Sequence, residues 1–263
     1  MATAINLYCI GNMEKAVVLS ATPTEATGFP KENLITFNPD LYCKPTSTAN
    51  QAYVIDFGTA QLVDRWAVLV HNYTTNFITG SASIRVSYSS DNITYTTWET
   101  KVILSTARLQ LSSTSLTPQT YRYWKIELLS MSAIMEISGI FLARIYTLRA
   151  NQYPEKDQTV YYNRTARAAG GRMFVTGITR TAVRLFPRTW LFPSTTDMQP
   201  LIDAHANCRG SLFPLVYQET TGIDTTLVRF AEDELKQNKI AHQIYNPTVE
   251  FEELPHIYPG EAL

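Results

Sequence analysis

From Tyr53 onward the chain is written in short runs of β-branched and aromatic residues, broken by Asn, Asp, Gly and Pro at hairpin-like intervals. Runs of this length and texture are too short for helices and fit paired, half-buried strands. Six strand candidates stand out: YVIDFG, DRWAVLVHNY, SASIRVSYS, YTTWETKV, RYWKIELLS and MEISGIFLARIYTL. Ser90-Asp91-Asn92 separates two of them as a polar turn, and Asn and Asp tolerate left-handed backbone, which predicts a hairpin tip near Asp91. Strands at this spacing, with few visible helices, make a sandwich or jelly roll.

After Leu148 the texture changes. RANQYPEKDQT is polar and holds a proline, so residues 151–159 read as a linker or long surface loop. Beyond it, GRMFVTGIT, TAVRLFPRTWLF, GSLFPLVYQET and TTLVRFAE are strand-like, and NPTVEFEEL precedes a tail containing Pro and Gly. Between them Met198, Leu201, Ile202 and Ala206 recur at roughly helical spacing; Ser194-Thr195-Thr196-Asp197 supplies a cap and Gly210 a stop. A length of 263 residues suits two domains. The expected organisation is all-β: an N-terminal extension (1–29) packing on the sandwich, a jelly-roll β-sandwich (30–150), the linker (151–159), and a small β-barrel-like domain with one helix and a C-terminal extension (160–263).

Hydrophobic residues at 45% supply a core, and a net charge of -1 gives no overall attraction to nucleic acid or anionic membrane. No apolar run reaches membrane-spanning length, and the first twenty residues lack a basic region followed by an apolar one, so neither membrane insertion nor a signal peptide is expected. Cys9, Cys43 and Cys208 are odd in number and widely spaced, which fits reduced thiols better than a disulfide framework; Cys208 follows His205 by three positions, with no second half to make a metal knuckle. The four histidines form no HExxH, no GxSxG elbow or phosphate loop is present, AAGGR offers only the adjacent pair Gly170 and Gly171, and Asp197 and Asp203 lie six apart. A non-catalytic protein is expected.

NLITFNPDLYC (33–43), YVIDFGTAQLVDRWAVLVHN (53–72), SIRVSYSSDNITYTTWE (83–99), YRYWKIEL (121–128) and MEISGIFL (135–142) together resemble the discoidin-like, galactose-binding-like family of jelly-roll modules, with Asn92 where a glycine is usual. The resemblance covers under half the chain. It implies a structural cation, with Asn38, Asp40 and Glu136 as candidate Ca²⁺ ligands because hard ions want several converging oxygens. It also implies a sugar site in the loops at one end, for which His71, Asn72, Tyr73 and Phe77 are the candidates, with Tyr42 as a further exposed ring.

The second part resembles minor structural proteins of tailed-bacteriophage tail tips and baseplates. The likeness lies in TWLFPSTTDMQPLIDAHANCRGSLFPLVY (189–217), VRFAEDEL and VEFEEL. Distal tail proteins pair a ring-forming barrel with a sandwich, but with the barrel first, whereas here it comes second. Arg164, Arg167, Arg172, Arg180, Arg184 and Arg188 fall in a stretch without Asp or Glu, and Arg pairs bidentately with carboxylates and phosphates, so these six are candidate interface residues toward an acidic neighbouring subunit or passing DNA. Glu232, Asp233, Glu234, Glu250, Glu252 and Glu253 are the candidate complementary surface in the next copy of a ring. The expected function is a structural virion protein of a phage tail tip or baseplate, a distal-tail-like ring made in the host cytoplasm. Its neighbours are copies of itself and other tail proteins, and its outward-facing domain meets host-surface glycan. The alternative is a non-catalytic carbohydrate-binding module protein; a glycan-acting hydrolase is a third reading.

Overall fold

The computed structural model describes residues 5–38, 40–72, 82–103, 107–148, 151–154, 158–160, 163–167, 173–177, 183–219, 225–235, 239–241, 244–245 and 247–254. Two compact units emerge: Tyr8–Tyr146, and Met1–Leu7 together with Thr147–Leu263. Residues 1–29 are thus shared between them, since β1 (Ile5–Cys9), buried at all five positions, opens in one unit and ends in the other.

In the first unit β2 (Val17–Thr22), β3 (Gln51–Val63), β4 (Arg65–Val70), β5 (Ser83–Ser89), β6 (Thr96–Val102), β7 (Leu109–Leu111), β8 (Gln119–Leu129) and β9 (Ile137–Leu148) build two antiparallel layers. One runs β2-β3-β8-β5-β6 and the other β9-β4-β7. On β8, Trp124, Ile126 and Leu128 are buried while Lys125 and Glu127 alternate outward, and the register sets Tyr53, Ile126 and Val86 side by side on the inner face. Trp66 to Val70 on β4 and Ile137 to Ala143 on β9 are buried without alternation, which is why those segments read as continuous apolar runs. This unit is a jelly-roll β-sandwich, as its sequence texture predicts.

The Asp-hydrophobic-Gly step in β3 has a clear physical basis. Gly58 sits at φ +75°, its N–H donates to Asp56 Oδ1 at 2.7 Å, and the ladder to β8 breaks register between Asp56 and Gln61. Asp56 also accepts both Arg122 Nε (2.7 Å) and a terminal Arg122 nitrogen (2.8 Å). Arg122 and the Gly58 N–H hold the Asp56 carboxyl below the usual carboxylate range, against the opposing pull of burial. A carboxyl with a depressed folded-state pKa contributes stability that is fully present above its unfolded value, about 3.9, and is lost as pH falls from there through the folded value. Asp56→Asn is therefore expected to lower the urea midpoint at neutral pH, with the gap to wild type closing as pH falls below about 4; a gap that stays constant through that fall would contradict the assignment.

Asp91 forms the expected hairpin tip. Its Oδ1 accepts the N–H groups of Ile93 and Thr94, both at 2.9 Å, and the Ser89 hydroxyl, lowering the carboxyl to about 2. Asn92 adopts φ +60°, the conformation that makes glycine usual there.

In the second unit β10 (Asn151–Pro154), β11 (Gln158–Val160), β12 (Asn163–Arg167), β13 (Met173–Gly177), β14 (Val183–Leu191), α1 (Thr195–Cys208), β15 (Leu215–Glu219), β16 (Thr225–Phe230), β17 (Lys239–Ala241), β18 (Ile244–Tyr245) and β19 (Thr248–Glu253) follow in order. The main sheet runs β10-β14-β19-β16-β15, with β11 also on β14; β12 with β13, and β17 with β18, form separate two-stranded ladders. The segment expected to be a linker, 151–159, carries β10 and the start of β11, both paired antiparallel to β14. Its polar composition and Pro154 suit short strands whose partner, β14, lies well beyond any local window of sequence. Trp190, Phe192, Tyr217, Phe230 and Phe251 are buried together; Phe251 meets Phe230 at 5.1 Å and Trp190 edge-on at 6.2 Å.

α1 begins where its cap predicts: Ser194 Oγ accepts the Asp197 N–H at 3.1 Å. Its buried face is Met198, Leu201, Ala204 and Cys208, so Ala206, expected on that face, is exposed and Ala204 takes its place. Arg209 enters the left-handed region and Gly210 follows it.

Candidate functional site

The Asn33–Cys43 turn is closed by its own side chains. Asn33 Nδ2 donates to the Tyr42 carbonyl at 2.8 Å, and Asn38 Oδ1 accepts the Asp40 N–H at 3.0 Å. Cys43 then makes an isolated bridge to Ile137, exchanging both backbone hydrogen bonds. That bridge brings the turn against the start of β9, while His71 N–H donates to the Glu136 carbonyl at 2.8 Å and brings in the end of β4.

Three rings stack there. Tyr42 lies between Phe29, with centroids 4.7 Å apart, and His71, 4.0 Å apart, at interplanar angles of 27° and 17°. His71 is buried and its Nδ1 lies 3.3 Å from Ser138 Oγ. Asn72 spends its amide on the backbone: Nδ2 donates to the Ile134 carbonyl at 2.9 Å and Oδ1 accepts the Glu136 N–H at 3.0 Å. Lys44 Nζ sits 2.7 Å from Glu136 Oε1 and 5.9 Å above the Phe29 ring. The hydrogen bond to Glu136 raises the Lys44 pKa, and desolvation, then the Glu136 charge, raises that of the Tyr42 phenol.

Residues from the expected cation set and the expected sugar set therefore meet in a different arrangement. Glu136, read as a cation ligand, pairs with an ammonium, while Asn38 and Asp40 are tied to each other by a local turn. Among the described residues no three His, Cys, Asp or Glu side chains group as a metal site would require. His71 and Asn72, read as ligand contacts, hold the scaffold. Tyr42 has both ring faces covered and presents its edge and hydroxyl. Tyr73 and Phe77 lie outside the described residues. Sequence reasoning missed Phe29, Lys44 and Ser138, whose roles depend on three chain segments meeting and leave no local pattern.

Because Lys44 supplies the countercharge to Glu136, Ca²⁺ is expected to leave the melting temperature of the chain unchanged relative to a chelator. A rise with Ca²⁺ concentration, the signature of an ion that binds only the folded state, would contradict this.

The expected interface arginines separate in the same way. Arg188 is buried inside its own unit, with Nε 3.4 Å from the Tyr217 hydroxyl and a terminal nitrogen donating to the Pro187 carbonyl. A guanidinium so placed contributes to packing and is withdrawn from any interface. Arg164 and Arg167 lie on β12 and Arg184 on β14; Arg172 and Arg180 fall outside the described residues.

No family model and no curated protein sequence matches the chain. Among solved structures it is similar to a family 32 carbohydrate-binding module of Clostridium perfringens NanJ in complex with galactose, at 14% identity and a TM-score of 0.44 over 52% of this chain and 99% of that one. A module of family 32 from a C. perfringens family 31 glycoside hydrolase aligns at 11% identity and a TM-score of 0.43, covering 50% of this chain and 95% of the module. A Ruminococcus gnavus fucosidase of family GH29 aligns at 19% identity and 0.43, and this chain spans only 26% of its length. Each likeness is confined to about half of this chain.

Proposed function

We propose that the chain is a non-catalytic protein that binds carbohydrate through the sandwich and assembles through its second unit. The observation carrying this reading is the Lys44–Glu136 pair set on the Phe29–Tyr42–His71 stack. An ion pair with one partner 37% exposed adds little to stability, typically under about 1 kcal/mol, so its ordered placement is better accounted for by recognition than by folding. An ammonium, a carboxylate and a phenol held at fixed spacing are donors and acceptors matched to sugar hydroxyls, and the half-buried stack beneath them, seated on the buried His71, reduces the entropy cost of ordering. The galactose bound by the NanJ module is of this ligand class. The one hydroxyl–imidazole pair in the cluster, Ser138 Oγ and His71 Nδ1, is buried and does not face a glycan as the nucleophile and base of turnover must. A glycan array is the test: retained binding without cleavage of the bound glycan supports the reading, and cleavage overturns it.

The finer reading is a tail-tip or baseplate component of a tailed-phage virion. It is supported by the element order of the second unit, in which a Trp-bearing strand, a capped helix, a Phe-Pro entry into β15 and a Glu-rich closing strand succeed one another. Mass spectrometry of purified particles and electron microscopy of their tails are expected to place the chain at the tail end. Its absence from particles would remove this reading and leave the carbohydrate-binding one standing.

A further inference from the structure

Within the second unit a cavity of about 280 Å³ is lined by residues of β14, α1, β16, β19 and the segment after β16. Pro187, Phe230, Leu235 and Val249 give it apolar walls. His205 of α1 lines it too, edge-on to Phe230 at 4.9 Å, with Nε2 3.3 Å from the Glu232 carbonyl, so the imidazole ties the helix to the segment after β16. The volume is near the lower end of small-molecule sites, ~300 Å³. Glu232, Glu234 and Glu250 bring three carboxylates to the same space.

Two of these acids differ from the others nearby. Asp197 accepts the Ser194 hydroxyl, Asp203 the Gln199 amide, Asp233 the Ser211 N–H, Glu252 the Arg229 guanidinium and Glu253 the Thr226 hydroxyl. Glu234 and Glu250 have no hydrogen-bond or ion-pair partner for their carboxylates among the described residues. Glu250 is half-buried, a position where a carboxylate without a countercharge is costly. Apolar walls beside unpaired carboxylates match a ligand with a short hydrocarbon stem and an ammonium head. The stem takes apolar wall out of water, and the head supplies the missing charge together with its N–H donors. A neutral apolar ligand satisfies only the walls, and an anion is repelled by the acids.

We propose that this cavity binds a free aliphatic primary amine, with Glu234 and Glu250 as the anionic partners of its ammonium group and Phe230, Leu235 and Val249 as the seat of its stem. The site is separate from the Lys44–Glu136 cluster and does not depend on the carbohydrate reading. Titration of the full chain with pentylamine, followed through the methyl chemical shifts of Leu235 and Val249, provides the test, with 1-pentanol and pentanoate as controls of matched stem. The amine is expected to shift both residues saturably, and the controls to leave them in place at the same concentrations. Glu234→Gln with Glu250→Gln is expected to weaken amine binding ~10-fold or more, as loss of a charge-assisted hydrogen bond does, with folding verified by circular dichroism. Glu234 is exposed, so Glu234→Gln alone serves if the double variant fails to fold. Equal shifts with pentanol, amine affinity unchanged by the glutamine variants, or no shift with the amine overturns the proposal. Shifts caused by a capped lysine peptide but not by pentylamine overturn it as well, assigning the same chemistry to a polypeptide partner.

Discussion

Trp124→Ala is expected to cost the sandwich about 3–5 kcal/mol, the range seen when a large buried aromatic is truncated. Trp124 is fully buried at the middle of β8, between β3 and β5, where the register sets it opposite Ile55 and Tyr88. Its ring meets Trp98 edge-on at 5.2 Å and Tyr88 at 5.9 Å, and its Nε1 donates to the Tyr121 carbonyl at 3.2 Å. Alanine removes the volume, both aromatic contacts and the hydrogen bond together, and a two-layer core closes poorly around such a gap because its strands are pinned by their ladders. Since the chain holds two units, a single melting curve does not isolate the effect. Hydrogen exchange of the β3 and β5 amides does, and protection there is expected to fall by the full amount while the β16 and β19 amides change little. Loss below about 1 kcal/mol would mean that Trp124 is not the centre of this core.

Gly210→Ala is the corresponding lesion in the second unit, with an expected cost of about 2–4 kcal/mol from left-handed strain plus overpacking. Gly210 sits at φ +63°, and a Cβ there would lie 2.7 Å from Asp233 Cα and 3.0 Å from the Asp233 carbonyl oxygen, backbone atoms that cannot swing aside. The contact is fixed from the other direction as well: Ser211 N–H donates to Asp233 Oδ1 at 3.0 Å, and the Ser211 hydroxyl donates to the same oxygen. Ser211 thereby holds the Asp233 carboxyl below the usual range. Gly210→Asn separates the two causes, because Asn tolerates the dihedral but keeps the clash. Both variants are expected to lose comparable stability by urea denaturation followed through Trp190; an asparagine variant near wild type would assign the cost to backbone strain alone.

Much of the fold was legible locally. The six sandwich strands read from short β-branched and aromatic runs all form, because that local composition suits a strand whichever partner it meets. Ser194 caps α1 and Asp91 turns its hairpin by bonds to residues two or three positions on, which sequence spacing records directly. Gly58 follows the same rule, its N–H held by the carboxylate of Asp56. What failed was non-local. β2 is an edge strand with Val17 and Leu19 on the outside, so its apolar residues mark no core face, and β7 has only three residues. β10 and β11 were hidden by polar composition until β14 supplied their partner.

The site was partly legible for the same reason. Glu136, His71 and Asn72 come together in one cluster, where Glu136 pairs with Lys44 and Asn72 hydrogen-bonds the Ile134 carbonyl and the Glu136 N–H. The Lys44 pairing follows from the Cys43–Ile137 bridge placing the next residue beside Glu136. Arg188 likewise read as one of six surface arginines until burial beside Tyr217 withdrew it.

The Lys44–Glu136 pair on its ring stack is proposed as a metal-independent recognition surface. The direct test is titration of the glycan selected on the array against wild type, Lys44→Met and Glu136→Gln, all in chelator. Loss of a charge-assisted hydrogen bond to a ligand costs on the order of 1.5–3 kcal/mol, so both variants are expected to bind ~10-fold or more weakly, with the chelator changing nothing. Unchanged affinity in both variants, or binding that disappears with the chelator, would contradict it.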